Sequence, residues 1–159
     1  MPPSSAQGKA PKLPNFLCFA VYSANLAFGR VYKPLLDKLG LTYTSYIALV
    51  ALGDEDDLTV SALGEKLFLE SNTLTPILKK LETMDLVRRR RDPADERQVR
   101  VSLTDAGRHL LARIETEASP ELINAAGLGS DDFSKVRKAV AGLRDNLLRS
   151  LYAGGQDVP

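Results

Sequence analysis

The feature that most constrains the fold of this chain is a pair of short helices separated by a brief break. Thr59 is placed to cap a helix over 60–68. Ser71 or Asn72 is then placed to cap a second helix that runs to about Met84. Two capped helices in such close succession are typical of a helix-turn-helix, so this part of the chain predicts that motif.

The pattern changes directly after the second helix. Residues 86–91 and 98–103 are predicted to form two short strands, joined by a polar turn that contains Pro93. A basic hairpin in this position is a wing. The predicted fold class is therefore mainly α with a small β-hairpin, a winged helix-turn-helix.

Three helices are predicted before this motif. Apolar residues recur at helical spacing over 15–32, where Asn15 is expected to cap the helix and Pro34 is expected to end it. The same proline is well placed to begin a short helix over 35–39. Thr42 or Thr44 can cap the third helix.

Helices are also predicted after the hairpin. One opens at Thr104 and reaches about Glu117, and Pro120 is expected to start a separate short segment. Ser130 then caps a last amphipathic helix over 131–151. The N- and C-terminal helices are expected to form a dimerisation region. The predicted divisions are a flexible N-terminal tail at 1–13, dimerisation and sensing helices at 14–57, the winged helix-turn-helix at 58–104, C-terminal dimerisation helices at 105–152 and a flexible tail at 153–159.

Positive charge is concentrated in residues 71–100, which hold eight basic and five acidic residues, although the net charge of the whole chain is only +1. Basic side chains there can displace counterions from DNA phosphates, and an arginine at a hairpin tip can enter the minor groove. Arg97 is the candidate for the tip, and the Asp95 carboxylate could orient its guanidinium. The alternative is that the arginine run is an ordinary solvated strand face. The predicted DNA-contacting residues are Ser71, Asn72, Thr73, Thr75, Pro76, Lys79, Lys80, Arg89, Arg91, Asp95 and Arg97.

The cysteine and histidine counts limit the chemistry. Cys18 is the only cysteine and His109 the only histidine, which argues against an intramolecular disulfide or a zinc site. We expect no cofactor, no metal and no role for His109. No apolar run approaches the roughly 20 residues that cross a bilayer, and the first residues lack the apolar core of a signal peptide. A cytoplasmic protein without membrane contact is expected.

Cys18 lies in the first turn of the first predicted helix, where free backbone N–H groups and the helix dipole favour a thiolate. Its apolar neighbours also fit an inert, buried cysteine, and both interpretations stay open. Tyr22 follows one turn later. Tyr32 lies fourteen residues on, which is about 21 Å along an intact helix. Cys18 and Tyr32 could therefore meet only if the antiparallel helix of a second subunit lay beside the first.

Four stretches of sequence are distinctive as a set. They are LCFAVYS around Cys18, VYKPLLDKLGLTY over 31–43, GEKLFLESNTLTPILKKLE over 64–82, and the later DERQVRVSLTDAG. Over about residues 13–117 the chain resembles the MarR family of regulators, specifically the OhrR branch of organic-hydroperoxide sensors. The resemblance therefore implies a regulator rather than an enzyme.

The resemblance also implies a site and a switch. In a homodimer, Cys18 would be the redox-sensing residue, hydrogen-bonded by Tyr32 and Tyr43 of the other subunit. The reduced protein would repress a peroxide-detoxification gene by binding double-stranded, pseudo-palindromic operator DNA. Organic hydroperoxides, as inducers, would convert the thiolate to sulfenic acid and release the DNA. A chain without a second cysteine is similar to the one-cysteine type, which forms a mixed disulfide with a low-molecular-weight thiol.

Two other functions are compatible with these residues. A MarR-type repressor could respond to a phenolic or aromatic ligand in a crevice near Tyr22, Tyr32 and Tyr43, with Cys18 inert. A thiol peroxidase would share the reactive cysteine, but the basic wing argues against it. Replacing Cys18 separates the sensor from the ligand-responsive repressor, because only the sensor needs the thiol.

Overall fold

The computed structural model describes residues 12–153, apart from the side chains of residues 119 and 153. The described chain is mainly helical with a small antiparallel sheet, so the predicted fold class is confirmed. The predicted tails at 1–13 and 153–159 fall almost entirely outside the described residues. After a 3₁₀ turn at Leu13–Asn15, the elements in chain order are α1 (Leu17–Lys38), α2 (Tyr43–Asp54), β1 (Leu58–Thr59), α3 (Val60–Leu67), α4 (Ser71–Thr83), β2 (Val87–Arg91), β3 (Val99–Leu103), α5 (Asp105–Ala126) and α6 (Ser130–Ala153).

The chain divides after Leu111 into two compact units. The first unit contains α1 to β3 and the beginning of α5, and the second contains the rest of α5 and α6. Among the described helices, none is by itself long and apolar enough to cross a membrane. Only α1 and α2 taken together reach the required length and hydropathy, and they are bent by 86° at their junction.

α3 and α4 form the predicted helix-turn-helix. The Thr59 hydroxyl accepts a hydrogen bond from the Ala62 N–H at 3.1 Å and caps α3 as predicted. α3 ends at Leu67, and the left-handed backbone of Phe68 (φ 57°) then turns the chain. The Leu69 N–H then donates to the Gly64 carbonyl at 2.9 Å. A Cβ at position 64 would lie only 2.6 Å from the Leu69 oxygen, so this close turn requires glycine.

α4 begins earlier than either predicted cap allows. Ser71 is already helical, and Glu70 occupies the cap position without a capping bond from its side chain. The prediction that Ser71 or Asn72 caps this helix is therefore wrong. The turn after α3 is so short that Glu70 is the last extended residue, and its backbone carbonyl accepts the first helical bonds from the Thr73 and Leu74 N–H groups.

The wing is an antiparallel hairpin whose strands agree with the prediction to within one residue. β2 and β3 pair from Val87 opposite Leu103 to Arg91 opposite Val99. β1 pairs with the other edge of β3, so the strand order is β1-β3-β2. The sequence did not indicate β1, because two residues are too few to display an alternating pattern.

α1 and α5 both continue through a proline, and the predicted breaks at Pro34 and Pro120 are wrong. A proline inside a helix removes one N–H donor and costs about 3 kcal/mol. Beyond Pro34, burial of Leu36 anchors the last turn of α1, and the Leu36 carbonyl accepts the N–H groups of Leu39 and Leu41. Good helix formers lie on both sides of Pro120, which favours continuation of α5.

Candidate DNA-binding surface and cysteine site

α4 presents a polar face on the side opposite its three buried leucines. Leu74, Leu78 and Leu81 are fully buried and share one side of the helix. A recognition helix needs such an arrangement, with one face anchored and the other open to a DNA groove. The exposed side contains five of the predicted contacts, Asn72, Thr73, Pro76, Lys79 and Lys80.

β2 divides its four arginines between two faces, because successive side chains in a strand alternate. Arg89 lies on the same face as Val87 and reaches α4. Its Nε donates to Glu82 Oε2 at 2.9 Å, and its backbone N–H donates to Glu82 Oε1 at 3.2 Å. These hydrogen bonds from Arg89 hold the pKa of the Glu82 carboxyl below its usual value. Arg89 therefore ties the wing to α4.

The opposite face of the wing contains a second charge cluster. Arg90 and Arg100 lie opposite each other in the strand pairing, where like charges repel. Asp57 compensates both, since its Oδ2 lies 2.8 Å from Arg90 Nη2 and 3.2 Å from Arg100 Nε. Arg100 also donates to the Asp57 carbonyl and binds Asp92 at 3.0 Å. Hydrogen bonds from the Ala94 N–H and then from Arg100 lower the pKa of Asp92.

The structure thus separates the eight basic residues of 71–100 into two groups. Arg89, Arg90 and Arg100 pair with carboxylates and stabilise the wing. The other five form no ion pair with any residue in 12–153, so their charge is available to an external anion. They are Lys79, Lys80, Arg88, Arg91 and Arg97.

The wing loop over 92–98 is shaped by hydrogen bonds of its own. The Gln98 N–H donates to the Asp95 carbonyl at 2.9 Å. The Asp95 carboxylate accepts the Arg97 backbone N–H at 3.1 Å and the Gln98 side-chain amide at 3.3 Å. Within the described residues no bond joins the Asp95 carboxylate to the Arg97 guanidinium, so the predicted orienting pair is wrong. Asp95 instead builds the turn that presents the exposed Arg97.

A cleft of about 210 Å³ lies where α3, α4 and the wing meet. It brings together four predicted DNA contacts, Ser71, Thr75, Arg89 and Arg97. The part of the lining that comes from the start of α3 was not predicted from the sequence. The hydroxyls there belong to Thr59, which was assigned only as a helix cap, and to Ser61.

Cys18 is the second residue of α1 and is exposed. Phe16 occupies the cap position without a side-chain bond, whereas Asn15 belongs to the preceding 3₁₀ turn, so the prediction of Asn15 as the cap is wrong. The thiol nevertheless lies in the first turn, where the N–H groups have no partner inside the helix. Because Cys18 is exposed, the interpretation as an inert, buried cysteine does not fit this position in a single subunit.

Three tyrosine rings pack together where α1 meets α2. The ring centroid of Tyr32 lies 5.5 Å from that of Tyr43 and 5.3 Å from that of Tyr46. Burial raises the pKa of Tyr32, and a hydrogen bond from Tyr46 opposes that rise. Burial, and then the neighbouring Tyr32, raise the pKa of Tyr43. The sequence did not indicate Tyr46 as part of this cluster, although its spacing of three residues from Tyr43 was an available signal.

The structure does not bring Cys18 to these tyrosines within one subunit. α1 is continuous from Leu17 to Lys38, so Cys18 and Tyr32 are separated by about 21 Å along it. The aromatic ring nearest the thiol in sequence, Phe19, packs with Tyr22 at 6.4 Å.

Comparisons with known proteins agree on one type of molecule. Residues 30–114 match the family described as Transcriptional regulator SarA/Rot. The chain is 39% identical over 136 residues to the organic hydroperoxide resistance transcriptional regulator of Bacillus subtilis (strain 168), covering 86% of this chain and 92% of that protein. It is 43% identical over 144 residues to the HTH-type transcriptional regulator TtmR of Methylorubrum extorquens (strain PA1), covering 90% and 72%.

A solved structure extends the likeness to three dimensions. Reduced AbfR bound to DNA superposes with a TM-score of 0.71 at 33% identity, over 87% of this chain and 94% of that one. AbfR is a protein of Staphylococcus epidermidis. The neighbour is therefore a DNA complex in which the redox state of the protein was defined.

Proposed function

Because this chain belongs to the SarA/Rot family of MarR-like winged-helix transcriptional regulators, we propose that it represses a peroxide-detoxification gene until an organic hydroperoxide oxidises Cys18. The resemblance to the MarR family is confirmed, and the relatives described above are named as regulators rather than enzymes. Peroxide as the signal and Cys18 as the sensor are the parts that we propose.

The surface of α4 and the wing supports operator binding. Two unpaired lysines lie on the exposed face of α4 and three unpaired arginines lie on the wing, while three further arginines hold the wing in place. We assign Lys79, Lys80, Arg91 and Arg97 to phosphates or to the minor groove, because their charge is not compensated within 12–153. The hydroxyl and amide groups of Ser71, Asn72 and Thr73 are assigned to phosphates or base edges.

An apolar surface on α1 supports a homodimer. Leu36 is the only residue of this helix that is buried. Leu17, Tyr22 and Leu26 are exposed by 62%, 59% and 43%, and large apolar side chains exposed in such number on one helix are typical of an interaction surface. We propose that the α1 helices of two subunits cover each other, with further contacts from the exposed apolar residues of α6. Each Cys18 then lies beside the partner's tyrosines.

The observation that most favours Cys18 as the sensor is the packing of Tyr32 against Tyr43. These residues belong to different helices, and the resemblance independently assigns both to one thiol. Their raised pKa values keep both phenols protonated, so each can donate a hydrogen bond to a thiolate. Such bonds stabilise the thiolate and hold it in position for attack.

The proposed chemistry is a two-electron oxidation of sulfur. The thiolate attacks the terminal oxygen of the hydroperoxide, an S–O bond forms, and the O–O bond breaks. The leaving alkoxide takes up a proton to become an alcohol, and Cys18 becomes a sulfenic acid. A low-molecular-weight thiol can then displace the hydroxyl as water and leave a mixed disulfide.

The test uses the reduced protein and a fluorescent duplex that carries the DNA upstream of its own gene. Fluorescence anisotropy is measured before and after stoichiometric cumene hydroperoxide, with a small thiol present, and again after dithiothreitol. We expect tight binding that is lost on oxidation and restored on reduction. Cys18→Ser should bind the duplex as well as the wild type and should not respond to peroxide. Unchanged binding by a protein whose Cys18 is oxidised would refute the proposal.

A second candidate is a repressor that responds to a small aromatic ligand. A cleft of about 210 Å³ beside the tyrosine cluster favours it, since this cleft is lined by Tyr43, Thr42 and Leu36 and by the Lys33–Asp37 ion pair. A phenolic carboxylate could place its ring among the apolar residues and its charge near Lys33. Such a ligand would release DNA equally well from Cys18→Ser, which separates the two candidates.

A further inference from the structure

The cleft between α3, α4 and the wing is lined by groups suited to an anion. Its lining residues include Arg89 and Arg97 and no aspartate or glutamate. The Thr59 hydroxyl accepts the Ala62 N–H, which leaves its proton free to donate into the cleft. The Thr75 hydroxyl, in contrast, already donates its proton to the Ser71 carbonyl at 2.8 Å. The available side chains thus supply positive charge and hydrogen-bond donors.

Arg89 is held in a fixed orientation at this cleft. Glu82 binds the Arg89 side chain through Nε and the Arg89 backbone through its N–H. The terminal nitrogens of Arg89 make no hydrogen bond to any residue in 12–153, although the side chain is only 22% exposed. A guanidinium that is anchored at Nε presents its two remaining nitrogens in one direction. This is the geometry with which arginine binds two oxygens of one phosphate.

We infer that the cleft binds a single phosphate of the DNA backbone, held jointly by Arg89 and Arg97, with Glu82 as a positioning residue. The inference rests on the DNA-binding part of the proposed function and not on peroxide sensing. Hydroxyls from Ser71 and Thr59 complete the donor set. One phosphate would thereby contact the start of α4 and the wing at the same time. It would fix the distance between the recognition helix and the wing.

The test compares three variants of the reduced protein with the wild type, without peroxide, on the duplex used above. Dissociation constants are measured by anisotropy between about 50 and 200 mM salt, where each lost phosphate contact lowers the salt slope by about 0.9. Arg89→Gln removes the proposed contact. Arg88→Gln is the matched control, because it removes the same charge from the opposite face of the same strand. Glu82→Gln removes only the positioning charge.

For Glu82→Gln, the proposal and simple electrostatics predict opposite changes in DNA affinity. If Glu82 were only a negative charge near DNA, its removal would tighten binding. We expect weaker binding instead, by about threefold to tenfold, because Arg89 loses its charged anchor. For Arg89→Gln we expect about tenfold weaker binding and a salt slope reduced by about 1 per subunit. Arg88→Gln should leave the slope nearly unchanged.

Two results would overturn the inference. One is tighter binding by Glu82→Gln, and the other is an equal change of slope for Arg89→Gln and Arg88→Gln. Thermal unfolding of each variant reports whether it is folded. If Arg89→Gln does not fold, Arg89→Lys replaces it, since an ammonium group lacks the planar fork that lets one nitrogen bind Glu82 while two others bind one phosphate. Arg89→Lys should bind several-fold more weakly at unchanged net charge, and unchanged affinity would also overturn the inference. Because peroxide is absent throughout, failure of the peroxide response does not affect this result.

Discussion

Replacing Asp57 by asparagine tests how the wing is held. The amide keeps the size of the side chain and tolerates the left-handed backbone at this position (φ 55°), but it removes the charge shared by Arg90 and Arg100. The two pairs are partly exposed, with side-chain exposures of 49% and 40% for Arg90 and Asp57, and of 28% and 40% for Arg100 and Asp57. Each pair therefore contributes at most about 1 kcal/mol after solvent screening. With the repulsion between the opposed arginines included, the free energy of unfolding should fall by about 1–2 kcal/mol.

Asp57→Ala is the matched variant, because alanine loses the same charge and also pays the steric cost of a left-handed backbone, about 1 kcal/mol more. Urea denaturation at low salt and at 1 M salt distinguishes the two contributions. The effect of Asp57→Asn should shrink at 1 M, where the Debye length is about 3 Å. The difference between the two variants should persist, because steric strain is not screened. Wild-type stability of Asp57→Asn at low salt, or equal stabilities of the two variants, would refute this account of the wing.

Three further predictions concern the two sites. Arg97→Ala should weaken DNA binding and lower the salt slope by about 1 per subunit without changing the rate of Cys18 oxidation, and unchanged affinity would remove Arg97 from the interface. Tyr32→Phe or Tyr43→Phe should slow Cys18 oxidation by about tenfold, the factor for one hydrogen bond to a charged group, while reduced-state DNA binding stays intact; equal oxidation rates in stopped-flow assays would contradict the assignment. Glu82 and Asp92 have lowered pKa values, so their stabilisation is complete above their ordinary values of 4.5 and 3.8 and is lost as the pH falls further. Urea midpoints should therefore be level near neutral pH and fall below about pH 4.5, and Glu82→Gln should weaken that dependence.

The helix-turn-helix and hairpin were predictable because their signals are local. The Thr59 cap and the change from helical to alternating periodicity need no knowledge of the rest of the chain. The helix breaks predicted at Pro34 and Pro120 were wrong for a different reason. The cost of a proline in a helix can be read from the local sequence, whereas the burial of Leu36 that anchors the last turn of α1 depends on tertiary packing. The short strand β1 had no periodic signal at all.

The roles of the arginines depend on partners that are distant in sequence. Alternation along β2 could have assigned Arg89 and Arg90 to different faces. Only the fold shows that Glu82 binds Arg89 and that Asp57 binds Arg90. Likewise, the sequence placed Tyr32 and Tyr43 in one site through resemblance, while the contact with Tyr46 depends on how α1 packs against α2.

The uninterrupted course of α1 gives it the mechanical properties of a lever. A helix of 22 residues is a rod about 33 Å long. Its stiffness is lowest near Pro34, where one backbone hydrogen bond is missing. Cys18 lies about 24 Å from that point, so a tilt of about 10° there displaces the thiol by about 4 Å. Conversely, a displacement of that size at the thiol requires only a small rotation at the tyrosine end, where α1 meets α2.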